Sequence, residues 1–422
     1  MNDTEAYRAA MATPTPPSGT LGVAVVGLGA TTSTLLAGLS MIQRGTADPV
    51  GSLAELGEVD GISIRDLVGL APLEELRFMA WDPYAGSALV AAQHARVLDA
   101  ASLDSIAEDL IAVEAQPAVF DQSWVSRLED TDNIKPITNK MEQAEALIGD
   151  LVEFGKGCDR VIVLWSASTE AFRPGSESHL SLSAFERGLK ESDPAISPIQ
   201  IYAYASIRAG AAFINGSPNV SSESPALVDL ALRERVALVG KDYKTGQTLM
   251  KTIIAPGLRS RRLGVNGWFS TNILGNRDGL VLDEPENFRT KEVTKLGVLE
   301  DLLKPDEHPE LYGDISHMVR INYYPPKGDD KEGWDHIDLF GWLGYPMQLK
   351  VDFLCRDSIL AAPIMLDLVL FTDLAVRAGW SGIQDWLSFY VKEPLVPAGK
   401  HPIHALHEQE QLLFDGLRTL AG

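Results

Sequence analysis

The sequence predicts an α/β protein in which a doubly wound parallel sheet is interrupted by a second, sheet-rich unit. In the first half of the chain, short apolar runs alternate with helical segments, which is typical of a parallel sheet covered by helices on both faces. After about residue 247 the pattern becomes more nearly alternating, as in a sheet with one covered face. From about residue 358 the chain is helical again, so we expect it to return to the first unit.

The first unit begins with LGVAVVGLGATTSTLLAGLSMI, which predicts a short apolar strand, a glycine turn and an apolar helix. A long excursion follows through residues 45–75. The segment LRFMAWDPY then predicts a second strand, which ends at Trp81 and Asp82. Two more buried strands are predicted at RVIVLWSAST (160–169) and SPIQIYAYAS (197–206), with helical segments between them.

The second unit contains three strand-like segments, GVNGWFST, HMVRINYY and PMQLKVDFLC. One clear helix, around 291–304, interrupts them, and PPKGDDKEGWD is predicted to be a loop. The predicted organisation has four parts: a disordered lead (1–19), a nucleotide-binding α/β domain (20–247), a sheet-rich α+β domain (248–357) and a C-terminal helical segment that completes the first domain (358–422).

The charge balance limits the kinds of partner. The 422 residues include 36 Lys+Arg and 58 Asp+Glu, which gives a net charge of −22. This excess of negative charge argues against nucleic acids and anionic membranes as partners. An anionic small substrate remains possible, but the cations that hold it must be gathered locally. Clusters of lysines are therefore informative in this chain.

Two features favour a cytoplasmic protein. The only cysteines, Cys158 and Cys355, cannot form a disulfide framework and fit a reducing compartment. The most membrane-like stretch, ILAAPIMLDLVLFTDLAV, contains Asp367 and Asp373. Each aspartate would cost roughly 2.5–3.5 kcal/mol near the middle of a bilayer. We therefore expect this stretch to be a buried helix of a soluble enzyme.

The segment VAVVGLGATTST carries an incomplete dinucleotide-binding signal. Gly27 and Gly29 lie at the strand-to-helix junction, where glycines let backbone N–H groups approach a pyrophosphate. The third glycine of the fingerprint is replaced by Thr32. Asp82 ends the next strand, 55 positions after Gly27, and would reach ribose hydroxyls if residues 45–75 are an insertion. An ordinary βα turn with a surface aspartate is the alternative.

Lysines and amides gather near predicted strand ends in the second half of the chain. Lys291 and Lys295 are four residues apart, so both ammonium groups lie on one helix face. Each residue alone is more often a solvated lysine or a turn former. Together they suggest a site for an anionic, polyhydroxylated ligand. The members are Asp242, Lys244, Thr245, Gly246, Asn272, Asn276, Asp278, Lys291, Lys295, Lys327, Lys331 and Lys392.

Other chemistries have less support. His401, His404 and His407 recur at threefold spacing, but no acidic or cysteine partner completes a known metal pattern. The chain contains neither a G-x-S-x-G motif nor a P-loop, so acyl transfer and NTP hydrolysis have no sequence support.

Several ordered motifs resemble those of myo-inositol-1-phosphate synthases. GKDYKTGQT, NILGNRDGLVL, FRTKEVTK, GDDKEGWD and CRDSILAAPIMLDLVL occur in that family's order and approximate spacing, and VLWSASTEAF and FINGSP resemble its first-domain motifs. The resemblance covers roughly residues 20 to 422. It implies a Rossmann domain interrupted by a catalytic and oligomerisation domain, and usually a homotetramer.

The resemblance also implies a reaction. D-Glucose 6-phosphate becomes 1L-myo-inositol 1-phosphate with no net redox change. Tightly held, recycled NAD oxidises C5 of the open-chain sugar, a proton leaves C6, the enolate attacks the C1 aldehyde, and the C5 ketone is reduced again. The alternatives are an NAD-dependent sugar-phosphate dehydrogenase, a related cyclase on another phosphorylated sugar, and a non-catalytic NAD-binding regulator.

Residue roles follow from the same resemblance. A lysine with a lowered pKa can act as base at C5 and later as acid, and the resemblance places Lys392 there with Asp357 close by. Cationic side chains stabilise the charge on the C1 oxygen. The implied catalytic residues are Lys291, Lys295, Lys331, Lys392, Asp242 and Asp357. The implied substrate contacts are Lys244, Thr245, Gly246, Gln247, Asn272 and Asn276. The implied cofactor contacts are Gly27, Gly29, Ala30, Thr31, Thr32, Asp82, Ser166, Thr169, Asp278 and Ser358.

The chain departs from the family pattern in three places. Its glycine loop, GLGATTST, has fewer glycines and amides than the family's usual G-x-G-G-N-N-G. Asn322 stands where many eukaryotic members have lysine, and Arg277 where many relatives carry asparagine. These differences fit a divergent prokaryotic branch. A divalent or monovalent cation is possible near Asp242 and Asp278, and the sequence does not identify it.

Overall fold

The structure is a computed structural model that describes residues 13–282 and 298–422. Its strands are β1 (Leu21–Val26), β2 (Glu58–Val59), β3 (Ile62–Ser63), β4 (Leu76–Asp82), β5 (Ala115–Pro117), β6 (Arg160–Trp165), β7 (Ala212–Asn215), β8 (Ala237–Gly240), β9 (Gly264–Leu274), β10 (Ser316–Tyr323), β11 (Asp330–Phe340), β12 (Pro346–Arg356) and β13 (Gly382–Ile383).

The helices lie between and after these strands. They are α1 (Ala30–Gln43), α2 (Leu53–Leu56), α3 (Ile64–Val68), α4 (Ala88–Ala95), α5 (Ala100–Ser105), α6 (Ala107–Ile111), α7 (Lys140–Gly155), α8 (Leu182–Glu191), α9 (Pro198–Arg208), α10 (Pro225–Glu234), α11 (Gly246–Ser260), α12 (Arg277–Leu282), α13 (Pro309–Tyr312), α14 (Asp357–Arg377) and α15 (Leu406–Ala421). Residues 298–303 are also helical.

A seven-stranded parallel sheet forms the first unit. Its order is β13-β8-β7-β6-β1-β4-β5, so the chain leaves the interior strand β1 first toward the edge at β5 and then toward the edge at β13. All six residues of β1 are buried, as expected for a strand covered on both faces. The last strand, β13, pairs with β8. The predicted parallel sheet and the C-terminal return to it are confirmed.

The membrane-like stretch forms α14, a core helix of the first unit. It is long and apolar enough to cross a membrane by composition, but 67% of its most apolar window is buried inside the fold. Asp367 accepts hydrogen bonds from the backbone N–H of Leu53 and from the hydroxyl of Tyr390, and Asp373 pairs with Arg377 and Arg160. The expectation of a buried helix is confirmed.

A separate four-stranded mixed sheet forms the second unit, in the order β10-β9-β11-β12. Its inner face packs against α11 and the helix at 298–303 through apolar side chains that include Trp268, Leu258 and Leu302. The three predicted strands are present. The sequence prediction missed β11 and α11, and it placed residues 330–335 of β11 in a loop.

Two sequence predictions are wrong in detail. SPIQIYAYAS (197–206) forms the helix α9, because Ser197 and Gln200 make a capping box and Pro198 occupies the first turn. Ten consecutive residues of α9 are buried, so no polar face revealed its helical period. Lys331 lies on β11, because this strand alternates between buried and exposed residues and pairs along its length with β12.

The domain boundaries stay predictions. Residues 1–12 of the expected lead lie outside the described residues, whereas Thr15 forms a backbone hydrogen bond to Arg377. The helix expected around 291–304 is present at residues 298–303, and its beginning lies outside the described residues.

Candidate active site

A cavity of about 1350 Å³ lies where the carboxyl ends of the parallel strands face the four-stranded sheet. Its walls come from the segments that follow β1, β4, β6, β7 and β8, and from the start of α14. In open α/β sheets, ligands bind at this edge, where the strand order reverses. If the sequence predictions are right, the cofactor and catalytic residues should lie close together at this edge of the sheet.

The glycine turn forms one end of the cavity. Gly27 has a φ of +98°, which residues with a side chain rarely adopt. A Cβ at this position would also lie 2.8 Å from the backbone of Ala167 and would clash with it. Gly29 caps α1, and a Cβ there would have no neighbour within 4 Å. Gly27 therefore shapes the turn, whereas Gly29 leaves space above the helix N-terminus.

Asp82 lies directly beside this turn. Its carboxylate accepts hydrogen bonds from the backbone N–H of Leu28 (2.7 Å) and of Tyr84 (3.0 Å). The strands β1 and β4 are neighbours in register, which explains how residues 55 positions apart meet. The structure thus brings Asp82 to the glycine turn, and residues 45–75 form a separate excursion with its own short helices and hairpin.

The remaining predicted cofactor residues divide into two groups. Ala30, Thr31, Ser166, Thr169 and Ser358 line the cavity. Thr32 is buried, and its hydroxyl donates to the Gly27 carbonyl at 2.6 Å. It therefore stabilises the glycine turn and does not line the cavity.

Lys392 and Asp242 form a buried ion pair in the cavity wall. The Lys392 Nζ lies 2.8 Å from Asp242 Oδ1, and each side chain is only 5% exposed. The backbone also joins them, because the Lys392 N–H donates to the Asp242 carbonyl at 2.7 Å. Oδ2 of Asp242 is buried with no hydrogen-bond partner among the described residues. Two segments from distant parts of the chain thus place a lysine and an aspartate side by side.

Lys331 and Asp357 form a second pair. The Lys331 Nζ donates to Asp357 Oδ2 at 2.9 Å, from β11 to the first residue of α14. Burial raises the pKa of Asp357, but the nearby ammonium groups of Lys331 and Lys392 outweigh it and hold that pKa well below its usual range. Asp357 is therefore charged at neutral pH and links the two lysines electrostatically. Thr245 lines the same wall.

Asp329 is a site residue that the sequence analysis missed. It accepts hydrogen bonds from the Ser358 hydroxyl (2.9 Å) and from the Asn276 amide (3.4 Å), and it lines the cavity. Burial and the neighbouring Asp357 raise the pKa of Asp329. The available signal was its position in GDDK, two residues before Lys331. Asn276 also lines the cavity, and its Oδ1 accepts from the Gly279 N–H at 3.0 Å to cap α12.

Three predicted substrate contacts lie behind the cavity wall. Lys244 is buried, donates to the side chain of Gln409 and lies over the ring of Phe389. Gln247 and Asn272 are buried against each other on the inner face of the four-stranded sheet. Gly246 lies beside Lys331, since a Cβ at this glycine would be 3.7 Å from the Lys331 Nζ.

Some predicted residues cannot be placed. Lys291 and Lys295 lie outside the described residues, and so do the side chains of Arg277 and Asp278. Lys327, in contrast, pairs with Glu332 at the cavity edge.

A metal centre has no support from the described side chains. Among residues 13–282 and 298–422, no three His, Cys, Asp or Glu side chains form a group that could hold a metal ion. The C-terminal histidines do not converge on a ligand set, and His404 instead lies 3.1 Å from Asp301. Asn322, one of the departures from the family pattern, donates to the Thr271 hydroxyl and to the Asn272 carbonyl, both at 3.2 Å.

The chain is similar to known proteins over nearly its whole length. Residues 21–418 match the sequence profile of the family described as myo-inositol-1-phosphate synthase. Inositol-3-phosphate synthase 1 of Bacteroides thetaiotaomicron is 48% identical over 416 residues, which cover 96% of this chain and 97% of that protein. Isozyme 1 of Arabidopsis thaliana is 32% identical over 447 residues, covering 95% and 86%. The crystal structure of inositol-3-phosphate synthase from Caenorhabditis elegans matches with a TM-score of 0.91 at 27% identity, covering 97% and 87%.

Proposed function

Because the chain belongs to the myo-inositol-1-phosphate synthase family, we propose how its described residues carry out that family's reaction. The chain is an isomerase with inositol-3-phosphate synthase activity, which converts glucose 6-phosphate to a myo-inositol phosphate. The observation that carries the proposal is that one cavity is lined by a nucleotide-binding turn, by the Lys392–Asp242 pair and by Asp357, which pairs with Lys331 behind it. Each group in this arrangement matches one requirement of the reaction.

The cavity fits NAD at the end formed by the seven-stranded sheet. The Gly27 turn allows close backbone approach, the N-terminus of α1 favours a pyrophosphate, and Asp82 has the position of a ribose ligand. Ala30, Thr31, Ser166, Thr169 and Ser358 complete this lining. These residues would hold NAD, which would supply the oxidant for C5 of the sugar and the hydride for its final reduction.

Lys392 handles the proton of the C5 hydroxyl. In its neutral form it takes that proton during oxidation, and as an ammonium it gives the proton back during the final reduction. Asp242, 2.8 Å away, stabilises the ammonium form between the two steps. Because both side chains are nearly excluded from water, the same proton can stay at Nζ while the ring closes.

Lys331 stabilises charge during ring closure. Once C5 is a ketone, the C6–H becomes acidic, and the phosphate group of the substrate takes up its proton. The resulting enolate forms the C6–C1 bond while negative charge develops on the C1 oxygen, which then receives that proton to become a hydroxyl. The Lys331 ammonium, which donates to Asp357, is the proposed preorganised cation for this oxygen. The resemblance assigns Lys291 and Lys295 to the C1 oxygen and the phosphate, and these assignments stay predictions. A cation requirement also stays a prediction.

The subunit surface favours assembly with further copies of the chain, and the homotetramer that the resemblance implies stays a prediction. The outer face of the four-stranded sheet exposes apolar side chains from all four strands: Met318, Phe269, Trp334 and Leu354. The loop between β11 and β12 adds Trp342, Leu343 and Tyr345, which are 70–88% exposed. Contiguous exposed apolar surface of this kind is typical of an interface. A second copy of the chain is the proposed occupant.

The cellular setting follows from the thiols and the substrate. Cys158 and Cys355 are free, which fits the reducing cytoplasm where sugar phosphates are found.

The proposed cycle predicts product formation without net redox change. Purified protein incubated with glucose 6-phosphate should yield periodate-sensitive inositol phosphate, while absorbance at 340 nm stays flat. A steady rise in absorbance at 340 nm would instead identify a dehydrogenase that releases reduced cofactor. Protein that binds NAD but forms no product would support the regulator alternative.

A further inference from the structure

The turn after β7 is formed by Asn215, Gly216 and Ser217 of the segment FINGSP. Asn215 is the last residue of the strand and is completely buried. Its Oδ1 accepts hydrogen bonds from the backbone N–H of Ser217 (2.9 Å) and from the Ser217 hydroxyl (3.0 Å). An asparagine that binds the backbone two residues ahead closes an Asx turn, so this side chain sets the path of the chain after β7.

The orientation of the Asn215 amide is fixed by its other contacts. Nδ2 donates to the carbonyl of Asn219 (2.9 Å) and to the hydroxyl of Ser221 (2.8 Å). Because a backbone carbonyl can only accept a hydrogen bond, the amino group must face Asn219, and Oδ1 must face Ser217. Both N–H groups and both lone pairs of this amide are thereby used within the loop that follows β7.

The turn docks against the segment that carries Asp242. The carbonyl of Ser217 accepts a hydrogen bond from the Asp242 N–H, and the carbonyl of Gly216 accepts one from the Tyr243 N–H, both at 3.1 Å. Gly216 allows this close approach, because a Cβ there would lie 2.0 Å from the Tyr243 ring. Two backbone hydrogen bonds therefore join the Asn215 turn to the Asp242 segment.

Asp242 has a backbone conformation that needs support from its neighbours. Its φ is +61°, in the left-handed region, which aspartate adopts more readily than most residues but still at a cost in strain. Ser217 holds its N–H, and the Lys392 N–H holds its carbonyl at 2.7 Å. The side chain that leaves this backbone has Oδ1 2.8 Å from Lys392 Nζ. A displacement of the turn would consequently move the carboxylate relative to the ammonium group.

We propose that Asn215 is a positioning residue for proton transfer, because its Asx turn holds Asp242 at the distance from Lys392 that stabilises the ammonium form. This inference rests on the proposed roles of Asp242 and Lys392 in the reaction. Asn215 does not line the cavity, so it acts through the backbone of Ser217 and touches no ligand.

Alanine and serine at position 215 separate the turn from the rest of the loop. Asn215→Ala and Asn215→Ser both lose the two bonds donated by Nδ2, so both should lose similar amounts of thermal stability. Only serine keeps a side-chain oxygen that can accept from the Ser217 N–H, although more weakly than asparagine.

Turnover should therefore differ between two variants of similar stability. Formation of inositol phosphate per NAD-containing subunit should fall about ten- to hundredfold in Asn215→Ala and less than about tenfold in Asn215→Ser, because small displacements of catalytic groups are costly. The KM of glucose 6-phosphate should stay within about twofold of wild type, since no substrate contact is removed.

A double-mutant cycle tests the route through Asp242. When Asp242→Asn is already present, adding Asn215→Ala should reduce turnover less than about twofold, because the carboxylate that the turn positions is absent. Ser221→Ala is the matched control, since it removes one bond to Nδ2 and leaves both bonds to Oδ1. Its turnover should stay within about twofold of wild type, because the Asx turn is intact.

The possible outcomes separate this inference from the proposed function. Independent losses in the cycle, equal turnover of the alanine and serine variants, or an equal loss in Ser221→Ala would each overturn the positioning role. If Asn215→Ala fails to fold, Asn215→Ser decides the question in the same cycle, because its loss should vanish when combined with Asp242→Asn. Wild-type turnover in Asp242→Asn alone would instead refute the proposed role of the Lys392–Asp242 pair.

Discussion

Two substitutions of Lys392 can separate its role in proton transfer from the contribution of its positive charge to stability. In Lys392→Arg the side chain keeps a positive charge beside Asp242, but a guanidinium is not deprotonated in proteins and so cannot exchange a proton at neutral pH. In Lys392→Met both the charge and the proton are lost. If Lys392 is the acid and base at C5, both variants should lose activity, whereas only Lys392→Met should lose most of the pair's stabilisation.

The magnitudes follow from the geometry. General acid–base catalysis contributes about 10²–10⁴-fold, so turnover should fall by at least about a hundredfold in both variants. Removing one partner of a buried ion pair costs about 3–5 kcal/mol, and the 5% exposure of both side chains places this pair in that class. The free energy of unfolding should therefore fall by about that amount in Lys392→Met and by less in Lys392→Arg.

The assay combines turnover, urea unfolding and NAD content per subunit. Lys241 offers a matched control, because its Nζ lies 2.9 Å from Glu223 and its side chain is only 6% exposed, yet it does not line the cavity. Lys241→Met should lose stability but keep turnover per folded molecule. Lys392→Arg with turnover within a fewfold of wild type would refute the proton-transfer assignment.

Three further predictions address stability, cofactor and assembly. Burial lowers the pKa of Lys244 to about 7, so between about pH 7 and 10.4 the unfolded state binds more protons and stability rises with pH; Lys244→Met should remove this rise in urea unfolding. Gly27→Ala should lower the Tm and the NAD content together, whereas Gly29→Ala should keep the wild-type Tm, and equal losses of Tm would contradict the steric argument. Leu354→Arg on the outer sheet face should reduce the mass in light scattering, while Val50→Arg, at a position that is even more exposed but lies outside that sheet, should leave it unchanged.

Part of the fold could be predicted from the sequence because some elements are specified by their own local residue pattern. The strand–turn–helix at residues 21–42 has one apolar strand, one glycine turn and one helix, and each part is specified by its own residues. The buried helix α9 was misread because its ten consecutive buried residues erase the polar face that reveals a helical period. The complete burial of this helix in the fold therefore hid its secondary structure from sequence analysis.

The candidate site could be predicted only in part, because many of its contacts join segments that are distant in the sequence. The position of Asp82 beside the glycine turn could be predicted because parallel strands bring their carboxyl ends to one edge of a sheet. The pairing of Lys392 with Asp242, or of Lys331 with Asp357, depends on contacts between distant segments that spacing does not encode. The same limit applies to Lys244, whose side chain turns toward α15 and away from the cavity.

The path of the chain through α14 restricts how this protein can be divided or redesigned. The seven-stranded sheet needs residues from both before and after the four-stranded sheet, since β13 completes it beside β8. Cutting the chain once between the two units would leave neither a whole nucleotide site nor a whole core. Replacing residues 246–356 as one block, with both junctions kept, is the modular exchange that the topology permits. Such a chimera would retain the Asp242–Lys392 pair and Asp357, and it would replace Lys331, the partner of Asp357.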